Sequence, residues 1–489
     1  MIKHTLNKRL LVLSAAVTML LSQSAFAGET VELNLDEAMQ RAFDTNPAIS
    51  IAGYGRDSAR AAYNAARQSR GIAITATHQS QRSGLDDEMP VISKVTGIPT
   101  GEFSKNIHNN HTNAVTATLP IYTGGKLSGM IKQAKAGYLF AEEGVQKAYN
   151  DMRSTVTNSY FNMLQADNMQ KLSEESVTRL TDHLKNVKAQ YDVGVVAKAD
   201  VLRSEVELAN AKQNLIQAEN AYQIAEANLN KVVGLPMDTQ LKLDNLLVYT
   251  TYENDLPYCL DYAAEHRPEL KQAAQNVEAA KGALRVAISG HMPQVVASAS
   301  QAWSSESWPG DDNGNWGVGV NVSMNIFDTG VTQSHIHGAE ADLAKAHETY
   351  RDTVDAVNLD VRSNYLGLRE AEKRIDTTKL AVSQAEEDYR IAQLRYMNGV
   401  GTNTDVLDAQ VALTNAKTNY LQALYDYNTS KTALETAIGV PMAFPTKVNV
   451  EPVEEENTEK AEQAPAETAA PTAEEAQAPA QEATAEQAK

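Results

Sequence analysis

Two kinds of periodicity alternate along this chain. Long stretches carry apolar residues at spacings of three and four. Val177, Leu180, Leu184, Val187 and Tyr191 form one such stripe, and Leu208, Ala211, Leu215, Ala218, Tyr222, Ala225, Leu229 and Val232 form another. A 3-4 repeat in which large and small residues alternate is the seam of a coiled coil. The first helix of this kind runs over about 126–190 and would be ~100 Å long at 1.5 Å per residue. A globular domain has no use for that length, whereas a duct does. Other stretches have period two. Trp316, Val318, Val320, Val322, Met324 and Ile326 hold one face, and Gly317, Gly319, Asn321, Ser323 and Asn325 the other; Val115, Ala117, Leu119 and Ile121 alternate with Thr116 and Thr118. Strand candidates near 72–81 and 294–303 pair with these. The alternation fits a membrane barrel strand and equally a soluble hairpin with one buried face. Four strands cannot close around a water channel, so if they span a membrane several chains must share one barrel.

The pattern occurs twice. Tyr191 to Leu202 matches Tyr396 to Leu407, Val233-Gly234-Leu235-Pro236 matches Ile438-Gly439-Val440-Pro441, and Leu119-Pro120-Ile121-Tyr122 matches Met324-Asn325-Ile326-Phe327, all 205 residues apart. Earlier in each half Asn46-Pro47 matches Arg267-Pro268 at an offset of 221, so the first half carries 16 extra residues. These fall in the polar, Gly-, Pro- and Asn-containing stretch 83–112, which reads as an exposed loop. Each half predicts a short helix, a second helix opening at Pro47 or Pro268, two strands, a very long helix, a Gly-containing turn, and a last helix ending at Gly234 or Gly439. The second seam copies recur at Val382, Ala385, Tyr389, Ala392 and Tyr396, and at Leu413, Ala416, Tyr420, Ala423, Tyr427, Ser430, Leu434 and Ala437.

Composition fits this reading. There are 7 Phe and 3 Trp in 489 residues, few for a large compact core. The formal charge of −19 argues against nucleic-acid binding. Eleven Glu against two Lys after position 450 place nine of those charges in an Ala/Glu/Gln/Pro tail without apolar periodicity, expected to be disordered. At the other end Lys3, Lys8 and Arg9 precede the apolar stretch 10–21 and Ala25-Phe26-Ala27. This is a signal-peptide pattern, and the mature chain is expected to begin at Gly28. After it no apolar run approaches the ~18 residues of a membrane helix, so any spanning segment must be a closed barrel. With one cysteine, Cys259, no intrachain disulfide is possible.

The motifs Leu-Pro-Ile-Tyr-Thr-Gly-Gly-Lys (119–126), Tyr191 with Gly194 and Asp200-Val201-Leu202, Val-Gly-Leu-Pro (233–236), Asn-Ile-Phe-Asp-Thr-Gly (325–330), and Tyr396 with Gly399 and Asp405-Val406-Leu407-Asp408 carry a resemblance. In order, spacing and duplication the chain resembles the outer-membrane efflux protein (TolC-like) family over about 33–441. The resemblance implies a mainly α fold with a membrane β-barrel portion: a long coiled-coil α-barrel below a twelve-stranded barrel to which each of three chains gives four strands. It implies a signal peptide (1–27), a first repeat (28–236; strand pair about 71–122, long helices 126–233), an equatorial linker (237–257), a second repeat (258–441; strand pair about 293–327, long helices 331–438), and an equatorial end with the acidic tail (442–489). The implied protein is not an enzyme and has no cofactor. It is a homotrimeric passive conduit in the outer membrane and its lipid, extending into the periplasm, with a periplasmic adaptor (membrane fusion) protein and an inner-membrane transporter as partners.

The same likeness implies a gate at the periplasmic turns 191–200 and 396–405, with Gly194 and Gly399 as turn glycines. Asp405 and Asp408, three apart on one helix face, are implied to form a ring of six carboxylates that favours cations and titrates above isolated acids. Asp200 and Tyr396 match positions that link neighbouring coils when the gate is shut. Where some relatives carry an arginine this chain has Gly401, which leaves the latch open. Helix capping by Thr404 or Asp405 is the alternative role for this end.

Other signals are weaker. His108 and His111, and His335 and His337, lack ligand-spaced carboxylate or thiol companions, so no metal site is expected. Trp303, Trp308 and Trp316 suit an aromatic girdle or a packed loop. No catalytic motif is present. Protein export by a type I secretion machine uses the same kind of duct and stays open. A structural trimeric coiled-coil surface protein predicts strands at one end only, unlike this chain.

Overall fold

The computed structural model describes residues 30–440 except 96, 245, 246 and 248, with the backbone alone for 85–89 and 101–107. The signal peptide and the acidic tail lie outside the described residues. The first half runs β1 (Val31–Leu33), α1 (Leu35–Thr45), α2 (Pro47–Gln68), β2 (Ala73–Ile92), β3 (Pro99–Tyr122), α3 (Lys126–Asp192) and α4 (Lys198–Val233). After β4 (Leu241–Leu243) the second half runs α5 (Leu256–His266), α6 (Pro268–Ile288), β5 (Gln294–Ser305), β6 (Asn313–Ser323), α7 (Val331–Met397) and α8 (Asn403–Ala437). α3 and α7 are each 67 residues long, and α4 and α8 are 36 and 35. The duplication read from the sequence is therefore a duplication of structure.

The helix starts follow local chemistry. Asn34 caps α1 in a reciprocal box with Glu37, and Pro47 and Pro268 open α2 and α6. The residue before each proline also closes its own repeat. Asn46 Nδ2 donates to the Val232 carbonyl at 3.1 Å, and Arg267 donates to the Ala437 carbonyl at 2.6 Å. Val232 and Ala437 are 205 apart, so two unlike side chains satisfy the same orphan helix-end acceptor.

β2, β3, β5 and β6 form one antiparallel sheet in that order, and a separate parallel pair joins β1 to β4. The register places Ile74, Ala76, Val115, Ala117, Leu119, Val295, Ala297, Ala299, Val318, Val320 and Val322 on one face. Thr75, Thr116, Thr118, Ser298, Ser300, Gly317, Gly319 and Asn321 hold the other. The first face is apolar apart from Gln301, which lies between Val115 and Trp316, and the other is mostly small and polar.

The polar stretch 83–112 is the main departure. It is not a loop: the β2–β3 ladder continues through Gly84↔Ile107 and, after a register shift, from Glu88↔Lys105 to Pro90↔Phe103, then shifts again before Ile92↔Pro99. The turn shrinks to 93–98, where the Ser93 amide donates to the Ile98 carbonyl. Backbone ladders need no apolar side chain, so a ribbon standing beyond the four-stranded region can be polar on both faces.

Around mid-length the long helices are wrapped. Tyr160 donates to the Leu33 and Asp244 carbonyls, tying α3 to β1 and the end of β4. On the other side Tyr249, Tyr252 and Leu256 pack on a core of Val361, Leu368, Tyr427 and Leu434. Parts of the segment 237–257 thus lie against the long helices. Nearer the sheet, α3 crosses α6 at Gly129 and Gly282, where an added Cβ would come 2.7 and 2.8 Å, respectively, from the opposing glycine's carbonyl oxygen.

Candidate functional site

The tips of the two helix pairs come together. Each turn is closed by the same device: Gly194 and Gly399 take left-handed φ values of 81° and 72°, and the following amides of Val195 and Val400 reach back to Gln190 and Arg395 at 2.9 Å. Leu180, Leu184, Val187, Val201 and Leu208 of the α3/α4 pair then form one core with Ala392, Tyr396, Val406 and Leu407 of the α7/α8 pair. The seams read from the sequence meet here, with one asymmetry: Tyr396 is buried in this core, whereas its repeat mate Tyr191 is 42% exposed.

Asp405 and Asp408 both face solvent on the first turns of α8. They are not equivalent. Thr402 is the N-cap, accepting from the Asp405 amide at 3.1 Å, while Asp405 Oδ2 accepts from the Thr402 amide at 3.0 Å. Hydrogen bonds from Thr402 hold the Asp405 carboxyl below the usual carboxylate range. Within one protomer this is the reverse of the upward shift expected from crowding. The cap is Thr402, with Asp405 as its partner, not Thr404 or Asp405 themselves. In the first repeat the cap position is Ala197, which has no hydroxyl, and α4 has no side-chain cap. Its Asp200 is the mate of Asp405, and the mate of Asp408 is Arg203. The carboxylate pair is therefore a property of the second repeat alone.

Asp200 and Tyr396 are neighbours within one chain. The Tyr396 phenol is raised by burial and by the Asp200 carboxylate, and its hydroxyl has no hydrogen-bond partner among the described residues. Gly401 sits tightly, with an added Cβ 3.0 Å from Arg395 Cβ and from the Tyr396 amide nitrogen. A side chain there would require its neighbours to shift by a few tenths of an ångström.

Sequence reasoning missed four residues at this end. Asn403, the first helical residue of α8, is 3% exposed and contacts His183 and Ser204, which are also buried. Arg203 donates to Thr404 Oγ1 at 2.5 Å. A signal existed for His183: its repeat mate is the exposed Asp388, so a buried imidazole breaks the correspondence between halves. Among the described residues no cluster of three metal-ligating side chains forms, and no helix is long and apolar enough to cross a membrane.

The model of the outer membrane efflux protein family matches residues 38–235 and 259–440, one stretch in each repeat. The chain is 25% identical to the outer membrane protein TolC of Escherichia coli over 444 residues, covering 86% of this chain and 85% of that one. It is 22% identical to the solvent efflux pump outer membrane protein SrpC of Pseudomonas putida, covering 82% and 84%. Among solved structures it is similar in fold to the outer-membrane channel OprN, with a TM-score of 0.71 at 17% identity over 83% of this chain and 89% of that one. The structure of CusC matches at the same TM-score over 85% and 95%.

Proposed function

The chain belongs to the outer membrane efflux protein family, and from that premise we propose that three copies form the outer-membrane duct of an efflux pump, gated at the helical tips. The observation that carries the reading is the sheet. It has an apolar face, a small polar face, and two edges, β2 and β6, that pair with nothing within the chain among the described residues. Exposed unpaired edges are a liability in water, and closure with sister strands removes them. Joining β6 of one copy to β2 of the next, three times, gives a twelve-stranded barrel with the apolar face toward lipid and Thr, Ser and Gly toward the lumen. Within β6 the apolar alternation runs from Trp316 to Val322, ~15 Å along the barrel axis at a ~40° tilt; Met324 and Ile326, expected to continue the strand to about 327, lie beyond its end at Ser323. Trp316, 78% exposed, then stands at the upper end of that alternation.

Below the barrel the four long helices of each copy line the periplasmic conduit. The protein moves cargo passively and catalyses no reaction. Energy comes from an inner-membrane transporter, reached through a periplasmic adaptor protein. At the tips Asp405 and Asp408 from three copies form a ring of carboxylates that favours cations. The two strand pairs lie in one sheet between equivalent helices, which weighs against a stalk-like surface protein. The test is conductance of the purified protein in planar bilayers, with its oligomer mass measured in detergent. Trimers that insert and conduct with cation preference support the reading, and a lipid-indifferent monomer overturns it.

A further inference from the structure

One polar cluster in the tip core is unlike anything around it. His183 on α3, Ser204 on α4 and Asn403 on α8 are 3%, 1% and 3% exposed, amid leucines and valines. Asn403 Nδ2 donates to the Asp200 carbonyl at 3.1 Å, which fixes the amide so that Oδ1 faces His183 Nε2 at 2.7 Å. Ser204 Oγ donates to the same Asp200 carbonyl at 2.9 Å and lies 3.3 Å from Asn403 Oδ1. With Oδ1 accepting, the imidazole must carry its proton on Nε2. The Tyr396 ring of α7 lies 5.4 Å from that imidazole. One side chain at the start of α8 therefore fastens three helices, in a core where an unmade polar bond costs more than in water.

We propose that Asn403 is the latch of this gate: its amide, held between His183 and the Asp200 carbonyl, keeps the α7/α8 pair against the α3/α4 pair until it is broken. The proposal rests on the gated-duct reading above and supplies the link that Gly401 leaves vacant. It also makes the latch sensitive to acid. A second proton on His183 would be a buried charge. The charged and titratable groups nearby are Asp200 and Arg203 on α4, Tyr396 on α7 and Asp405 on α8. Arg203 bonds Thr404, Asp405 bonds Thr402, and the Lys188–Glu205 pair spans α3 and α4. None of them is ion-paired with His183 among the described residues. Burial accordingly holds the ionisation of His183 below the ordinary histidine value, against the smaller opposing pull of the Asn403 bond. A tip that opens to water returns His183 to about 6.5. The open tip then binds more protons than the packed one between those two values. The packed tip loses stability as pH falls through about 6.5 toward the lower, packed-state value.

The test uses full-length trimers in planar bilayers, with acid added on the tip side. The expected result is that wild type conducts severalfold more at pH 5.5 than at 7.5. Asn403→Ala should conduct severalfold more than wild type already at pH 7.5. His183→Gln retains an Nε2 donor without a titrating ring, so it should stay shut at pH 7.5 and lose most of the acid response. This comparison separates His183 from the nearby carboxylates, which are unchanged in it. Trimer mass and thermal unfolding confirm that each variant is assembled. An assembled Asn403→Ala trimer with wild-type conductance overturns the latch, as does a His183→Gln trimer with an unaltered acid response. Failure of the wild type to form any pore overturns the duct reading instead.

Discussion

Replacing Asp405 and Asp408 separately by asparagine should show that they share an electrostatic task and differ in a structural one. Both carboxylates face solvent, three residues apart on α8, and neither is ion-paired among the described residues. Suppose each sits ~8 Å from the pore axis in a trimer. In water, with a Debye length of ~10 Å, three charges then stabilise a monovalent cation on the axis by ~1.2 RT, about threefold in occupancy. Six give about tenfold. Either single substitution should lower cation preference about threefold, and the double substitution should abolish it. The structural effects differ. Asp405 completes the capping box with Thr402, so D405N weakens the first turn of α8, whereas D408N leaves that turn intact. The Asp405 carboxyl, depressed by its Thr402 hydrogen bonds, contributes to the cap above the unfolded value near 3.9. That contribution is lost as pH falls through its lower folded value. The assay is the reversal potential across a salt gradient, with hydrogen exchange of the α8 amides as the structural readout. If D408N leaves the reversal potential unchanged while D405N alters it, the selectivity comes from tip geometry and the carboxylate ring is wrong.

The two helix-end clamps should differ in strength although they occupy the same place in the repeat. Arg267→Ala removes bonds to the Thr436 and Ala437 carbonyls and to Glu269 and Asp360, from a side chain 14% exposed. It should cost ~3 kcal/mol, against ~1 kcal/mol for Asn46→Ala, measured as urea unfolding of the detergent-solubilised protein. On the sheet, Val320→Arg should impair insertion into lipid vesicles, by ~2–4 kcal/mol for a cation near the bilayer midplane. Gly319→Ser, on the opposite face, should insert normally.

The features that the chain displays plainly are those with a period. The 3-4 seams ending at Tyr191 and Tyr396, the alternation from Trp316 onward, and the 205-residue offset gave helix lengths, strand faces and the position of the tips. The extended β2–β3 ribbon was hidden because Asn, Gly and Pro density marks turns, while the ladder that carries a ribbon leaves no side-chain signature. The tip chemistry was partly legible. Asp405 and Asp408 could be placed on one face from spacing, but the reciprocal bond between Thr402 and Asp405 depends on where the helix starts, which pattern locates only to within a residue or two. Asn403 and His183 were invisible as a pair. They lie 220 residues apart, and only the packing of α8 on α3 brings them to 2.7 Å.

The repeat also says which contact is missing from a single chain. Within it, α3 crosses α6 through Gly129 and Gly282, a long helix of the first half against a second helix of the other half. The repeat-related contact is α7 against α2, and no comparable packing of these helices exists among the described residues. The mate of Gly129 is Ser334 and the mate of Gly282 is Ala61; both are small, and both are exposed. Ile51 and Tyr54 on α2 are 70% and 74% exposed, as are Leu359 and Leu366 on α7 at 69% and 58%. A face that packs in one repeat and lies bare in the other is a face awaiting its equivalent partner, which only another copy carries. The expectation is that α7 of one subunit crosses α2 of the next at Ser334 and Ala61, with backbones close enough for a bridge. With Cys259 replaced by alanine, Ser334→Cys plus Ala61→Cys should cross-link under mild oxidation into a covalent trimer, and either cysteine alone should not. Monomeric double-cysteine protein on denaturing gels, from samples that are trimeric in detergent, would mean that the copies meet by a different face.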